Sequence, residues 1–209
     1  MKFIFWILAI LYALVESQGF GDFYIYVSAG GKLLQGENIY VIKFQEFYHY
    51  YYSVLFALIL SPFFSAPFFW LKFIWLIFNL SLVYMLFLKL ASSKIFDSFS
   101  LKQKQLFLFL VFVISFRFLH ENIHYSQITI LLLWTCVIGL LLVFENKPVL
   151  GGAVLALGIN IKLFPVVFLP YLFYRGYFKA LTFTICFFRF HIDLLLFSPH
   201  QILQINSED

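Results

Sequence analysis

Residues 68–88 form an apolar run that contains one charge, Lys72. A helix needs about 20 such residues to cross the hydrocarbon core of a bilayer. Further runs of the same character lie at 3–15, 105–119, 128–144, 149–161, 163–174 and 180–197. Backbone inside lipid must satisfy its own hydrogen bonds, so runs of this kind fold as helices. Composition points the same way. Only 11% of the residues are charged and 63% are hydrophobic, where a soluble domain carries about 25% charged residues. A soluble core of this size has no room for 31 Phe. Disorder, collagen, coiled coil and a disulfide scaffold are excluded by the same numbers. The expected fold is an all-α, polytopic helical membrane protein. It forms a single transmembrane domain over residues 1–209, with about six or seven spans.

The charges set an expected topology. Residues 16–52 are the least apolar stretch, holding Asp22, Lys32, Glu37, Lys43 and Glu46 among many tyrosines. Tyr suits the membrane–water interface, with its ring in the apolar zone and its hydroxyl in water. Gly30, Gly31 and Gly36 punctuate the stretch. Residues 54–64, ending between Pro62 and Pro67, are too short to cross and read as an interfacial half-helix. Lys89, Lys94, Lys102 and Lys104 follow the 68–88 span, which places loop 89–104 in the cytoplasm. With Lys2 also inside, eight of the fourteen basic residues face the cytoplasm: Lys2, Lys89, Lys94, Lys102, Lys104, Lys147, Arg175 and Lys179. Loop 16–52 is then external. Residues 3–15 read as an uncleaved first span, because Glu16-Ser17-Gln18-Gly19 is a poor cleavage site for a signal peptide. Dispersed basic residues give no nucleic-acid patch. Cys136 and Cys186 sit inside apolar runs, with no metal-ligand spacing.

An ionisable residue at membrane depth is costly and points to function. Three places qualify, all external in this topology. Asp22 follows the first span and fits either a helix cap or a catalytic carboxylate. Arg117, His120, Glu121, Asn122, His124 and Gln127 crowd the junction between two spans, as a polar loop or as a binding cluster. Lys162 lies at the break between two short apolar helices, ahead of Pro165. It fits a snorkelling lysine or a cation lining a cavity. His120-Glu121-Asn122-Ile123-His124 also matches the H-E-x-x-H pattern of zinc proteases. That chemistry requires a helix running through all five residues and a third ligand. The five residues fall where two spans should meet, and Asp22 or Asp193 would have to complete the set.

Several segments together resemble glycosyltransferase family 87, within the C-type superfamily. Asp22-Phe23-Tyr24-Ile25-Tyr26, with Ala29, Gly36 and Tyr40, resembles the family's D-x-x-x-Y…A…G…Y loop after the first helix. Tyr52-Ser53-Val54-Leu55-Phe56-Ala57 leading to Pro62 is similar to Y-x-P-x-F-A…P, with Val54 in place of proline. Asn122 to Gln127 resembles N-x-x-x-G-Q, with Ser126 in place of glycine. Gly151-Gly152, Ala156, Lys162 and Pro165 resemble G…A…K-x-x-P. Together the segments cover roughly residues 15–185. Family members are longer, with more spans, so the resemblance implies that a C-terminal part is missing here.

The resemblance implies a membrane hexosyltransferase at the cell envelope, with a C-type glycosyltransferase-like fold. A hexose, plausibly mannose, would move from a polyprenyl-phosphate donor to a lipid or glycan acceptor outside the plasma membrane. Asp22 is the expected base, since an attacking hydroxyl needs a carboxylate near it. The departing phosphate needs positive charge and donors to meet it. Lys162 is the first choice for that role, and Arg117, His120 and His124 are the second. Tyr26, Asn122 and Gln127 are expected to contact substrate. The expected partners are the donor, the acceptor and the lipid bilayer, with no nucleic acid. No cofactor or metal belongs to the scheme. Two other readings stay open: a non-catalytic or truncated membrane subunit that binds a lipid carrier, and a zinc metalloprotease built on His120 and His124.

Overall fold

The structure is a computed structural model and describes residues 2–93 and 96–189. Lys94 and the second half of the 180–197 run, with Asp193, lie outside the described residues. The chain divides into two compact units, one of residues 1–23 and 67–134, the other of residues 24–66 and 135 onward.

The first unit is built on α1 (Lys2–Glu16), α4 (Phe68–Ala91) and α5 (Leu101–His124), with the beginnings of α2 (Asp22–Leu34) and α6 (Thr129–Phe144). α1 packs on α4, and α4 packs on α5. Ala13, Leu76, Leu82, Ile123 and Ile130 form the core. α4 and α5 are both long and apolar enough to cross a membrane. α5 starts at a capping box, in which the Ser100 Oγ accepts from the Gln103 N–H and the Gln103 side chain accepts from the Ser100 N–H. Its outer face exposes Phe109, Ile114 and Phe118. Water would make such a face an aggregation site, whereas lipid tails solvate it.

The second unit holds the rest of α2 and α6, together with α3 (Val54–Leu60), α7 (Pro148–Ile161), α8 (Phe168–Tyr174) and α9 (residues 178–189). Single 3-10 turns follow α3 at Ser61–Phe63 and α7 at Phe164–Val167. α3 is the short half-helix expected at 54–64, and the Ser53 Oγ caps it by accepting from the Phe56 N–H. α7 runs between small-residue contacts. A Cβ on Gly151 would lie 2.7 Å from the Gly139 carbonyl oxygen on α6, and one on Gly152 would lie 2.9 Å from the Ala180 carbonyl oxygen on α9. Close backbone approach through Gly is how helices associate where the hydrophobic effect is absent.

Two expectations are revised. The stretch 16–52 is not all loop, since α2 occupies Asp22–Leu34. Gly30 and Gly31 are packing positions in that helix rather than turns. A Cβ at Gly30 would meet the Ala57 carbonyl oxygen at 2.7 Å, and one at Gly31 would fall on the Phe64 ring. Gly36 does turn the chain, with φ of 75°. Second, α5 does not stop at residue 119. It continues through His120, Glu121 and His124 before it ends. Polar residues end a span without ending a helix, because the backbone ladder continues outside lipid.

Candidate functional site

The sequence-derived site residues fall into both units. Asp22, Arg117, His120, Asn122, His124 and Gln127 belong to the first, and Tyr26 and Lys162 to the second.

In the first unit, the turn between α1 and α2 delivers Asp22 as the first residue of α2. The Asp22 N–H donates to the Tyr125 carbonyl oxygen at 2.8 Å. Tyr125 belongs to the turn that ends α5. That turn is a Schellman motif: the Gln127 N–H donates to the Asn122 carbonyl oxygen, and the Ser126 N–H to that of Ile123. The motif needs a left-handed residue, and Ser126 supplies it with φ of 54°. This is why glycine suits that position in N-x-x-x-G-Q. Ser126 is buried, and its carbonyl oxygen accepts from the Trp75 Nε1–H at 3.1 Å.

The polar cluster on α5 splits by partner. Arg117 Nε donates to Glu121 Oε1 at 3.2 Å on an exposed face. His124 Nδ1 lies 2.8 Å from Glu16 Oε2, at the end of α1. The His120 and His124 rings lie parallel, with centroids 6.1 Å apart. Asn122 Nδ2 donates to the Phe118 carbonyl oxygen, and its Oδ1 is buried without a partner among the described residues. The helix that H-E-x-x-H requires is therefore present. Among the described residues no three His, Cys, Asp or Glu side chains gather in a metal-binding group, and Asp193 lies outside them. Below the cluster, a cavity of about 390 Å³ between α1, α4 and α5 is lined by Phe5, Leu8, Phe112 and Phe116, with Tyr12 and His120 at its polar end. The Tyr12 hydroxyl is buried there with no partner among the described residues.

In the second unit, Lys162 caps the C-terminus of α7, where the last carbonyls concentrate negative charge. Its Nζ sits 5.2 Å above the centre of the Tyr52 ring. The Tyr26 hydroxyl donates to the Tyr52 hydroxyl at 3.0 Å, so Tyr52 links Tyr26 to Lys162. The Ser53 N–H donates to the Ile161 carbonyl oxygen, fixing the segment ahead of α3 against the end of α7. An open cavity of about 490 Å³ lies here, lined by Tyr40, Tyr51, Tyr52, Ser53, Asn160 and Lys162 among others. Burial raises the Tyr40 hydroxyl pKa, and raises that of Tyr50 further, with Tyr40 and Tyr52 adding to it. These hydroxyls stay neutral donors across the physiological range.

Sequence reasoning passed over Tyr52, Glu16, Trp75 and Lys72 as site residues. Tyr52 carried a signal, being the first residue of the Y-x-P-x-F-A-like segment. Glu16 and Trp75 carried none, because their partners are distant in sequence. Lys72 is visible in the sequence only as the one charge in its run, near one end of it.

Among the described residues the regular elements are helices, and two of them, α4 and α5, are long and apolar enough to cross a membrane. The family model of glycosyltransferase family 87 matches residues 50–200. The chain belongs to that family and is a membrane glycosyltransferase. No curated protein and no solved structure matches the chain.

Proposed function

We propose that the chain transfers a hexose, with mannose as the first candidate, from a polyprenyl-phosphate donor to a hydroxyl of an external lipid or glycan. The observation that carries this reading is Lys162, held at the end of α7 over the Tyr52 ring in a tyrosine-lined cavity, within the family-matched region. A phosphate leaving group needs such a cation with hydroxyl donors beside it. The reaction is a single inverting displacement. The acceptor oxygen bonds to the anomeric carbon, and its proton passes to the Asp22 carboxylate. The bond from the anomeric carbon to the phosphate oxygen breaks, and its electron pair leaves with the polyprenyl phosphate. Arg117, His120 and His124 add positive charge or donors for phosphate, and Tyr26, Asn122 and Gln127 contact sugar or acceptor. The apolar cavity between α1, α4 and α5 suits a prenyl chain. The protein is multi-pass in the plasma membrane, with its N-terminus and loop 89–104 cytoplasmic and the reaction external, as the lysine distribution favours.

The test is turnover of labelled polyprenyl-phosphate mannose in membranes that contain the chain. Transfer or release of label that disappears in Asp22→Asn supports the reading and its base. Turnover unchanged by Asp22→Asn removes Asp22 from the mechanism. No turnover by inserted, folded wild-type chain overturns the donor assignment.

A further inference from the structure

Lys72 lies in the second turn of a membrane-length helix and is 1% exposed. Lysines near span ends normally extend their stems and keep the ammonium in water. This one turns inward, and its Nζ donates to the carbonyl oxygens of Gly19 at 2.9 Å and Phe20 at 3.3 Å. A buried ammonium is strongly unfavourable unless it is hydrogen-bonded. The two bonds to it are charge-assisted, hence stronger than bonds between neutral groups. Both carbonyls belong to the turn that delivers Asp22. Glu16 is close enough to interact with the ammonium charge and itself pairs with His124.

The same helix grips the chain on the far side of Asp22. One turn on from Lys72, Trp75 stacks on the Phe23 ring, with centroids 4.7 Å apart and planes 12° from parallel. Trp75 also donates to the Ser126 carbonyl oxygen, beside the Tyr125 carbonyl that receives the Asp22 N–H. Gly21 is held against that carbonyl as well, since a Cβ there would lie 2.6 Å from it. Asp22 is thus bracketed by Lys72 before it and Trp75 after it.

We propose that Lys72 is a positioning residue for Asp22, its buried ammonium fixing the Gly19 and Phe20 carbonyls so that α2 begins with Asp22 in place for proton transfer. This rests on Asp22 acting as the base. Misplacing a reacting group by about 1 Å can cost on the order of 100-fold in rate.

The test uses the full chain in membranes, with labelled polyprenyl-phosphate mannose as donor. Lys72→Met replaces the ammonium with an apolar stem of similar length, removing both charge-assisted bonds and leaving the Gly19 and Phe20 carbonyls without that donor. The expected result is a fall in kcat of roughly 10- to 100-fold, with KM for the donor within about threefold, a lowered melting temperature that leaves the chain folded at the assay temperature, and partial recovery of kcat in Lys72→Arg. Unchanged kcat in Lys72→Met, or a loss that tracks lowered thermal stability without recovery in Lys72→Arg, overturns the inference. If Lys72→Met does not insert, Lys72→Gln gives the same readout. If neither folds, the lysine is structural and the inference fails. Asp22→Asn, run alongside, separates the two claims: unchanged turnover there defeats the base reading, whatever Lys72 does.

Discussion

Gly151→Ala sets helix propensity against backbone proximity, and the two predict opposite signs. Gly151 lies inside α7, where exchange for Ala should stabilise by roughly 1 kcal/mol through reduced unfolded-state entropy. The new Cβ would lie 2.7 Å from the Gly139 carbonyl oxygen, 2.7 Å from Val143 Cγ2 and 3.0 Å from the Val143 nitrogen. Two of these atoms are α6 backbone, which no rotamer change can move. Restoring an ordinary contact needs α6 and α7 to separate by several tenths of an ångström along a seam packed around Leu155 and Val143. Overpacking of this kind costs about 1–3 kcal/mol, and here it also loosens the contacts on both sides of the seam. The net expectation is destabilisation by roughly 1–2 kcal/mol. Thermal unfolding of detergent-solubilised chain, followed by near-UV circular dichroism, reads the shift. Because α7 carries Lys162 at its end, donor KM should rise with it. Equal or greater stability in Gly151→Ala would refute the reasoning, showing that α6 and α7 part easily and that propensity decides.

Ser126→Gly relieves a left-handed serine, which costs about 1–2 kcal/mol. After the entropy penalty of glycine, the protein should gain roughly 0.5–1 kcal/mol, and an unchanged or lowered melting temperature would count against a strained Schellman turn. Tyr40 and Tyr50 hold their protons above the ordinary tyrosine range. The unfolded chain therefore binds fewer protons than the folded one above pH 10, so stability falls as pH rises past 10 and is flat with respect to these groups below it. Denaturation at pH 8 and pH 11 would check the sign, and Tyr50→Phe should lessen the loss. Arg117→Ala removes an exposed i,i+4 pair with Glu121, which is worth under ~0.5 kcal/mol. A loss of transferase activity beyond that scale would place Arg117 on substrate, and an unchanged rate would remove it from the phosphate set.

Much of the helical frame is legible in the sequence because lipid leaves the backbone so few options. The run 68–88 corresponds to α4, 128–144 to α6 and 149–161 to α7. The misreadings sit where lipid no longer constrains the chain. α2 mixes Tyr, Gly and charge and has the composition of an interfacial loop. Its glycines serve tertiary contacts with Ala57, Ser61 and Phe64, which no local pattern records. The run 105–119 falls short of α5 at both ends, where helix formers such as Gln103 before it and Glu121 after it carry the helix on to Leu101 and His124. Ser126 shows the converse case: the glycine of the N-x-x-x-G-Q pattern that Asn122 to Gln127 resembles would suit a left-handed φ, and here a serine meets it at a cost in strain.

The candidate site divides by the same logic. Lys162 and Tyr26 are readable from motif-like segments, but the link between them is Tyr52, whose hydroxyl bond and ring position exist only once α2 and α7 flank the segment that precedes α3. Lys72 is the sharper example. Its sequence setting is that of any lysine near a span end, and only its partners distinguish it. A snorkelling lysine would bond to water or a lipid headgroup, and its replacement by Met would leave turnover untouched. Lys72 instead bonds to two peptide carbonyls of the turn ahead of Asp22. Backbone carbonyls are present whatever the side chains are, so no residue pattern at 19 and 20 could have announced them as its partners. A buried cation whose acceptors are main-chain atoms is thus invisible to motif reading, while it constrains the local fold more tightly than a side-chain pair would, since neither acceptor can rotate away.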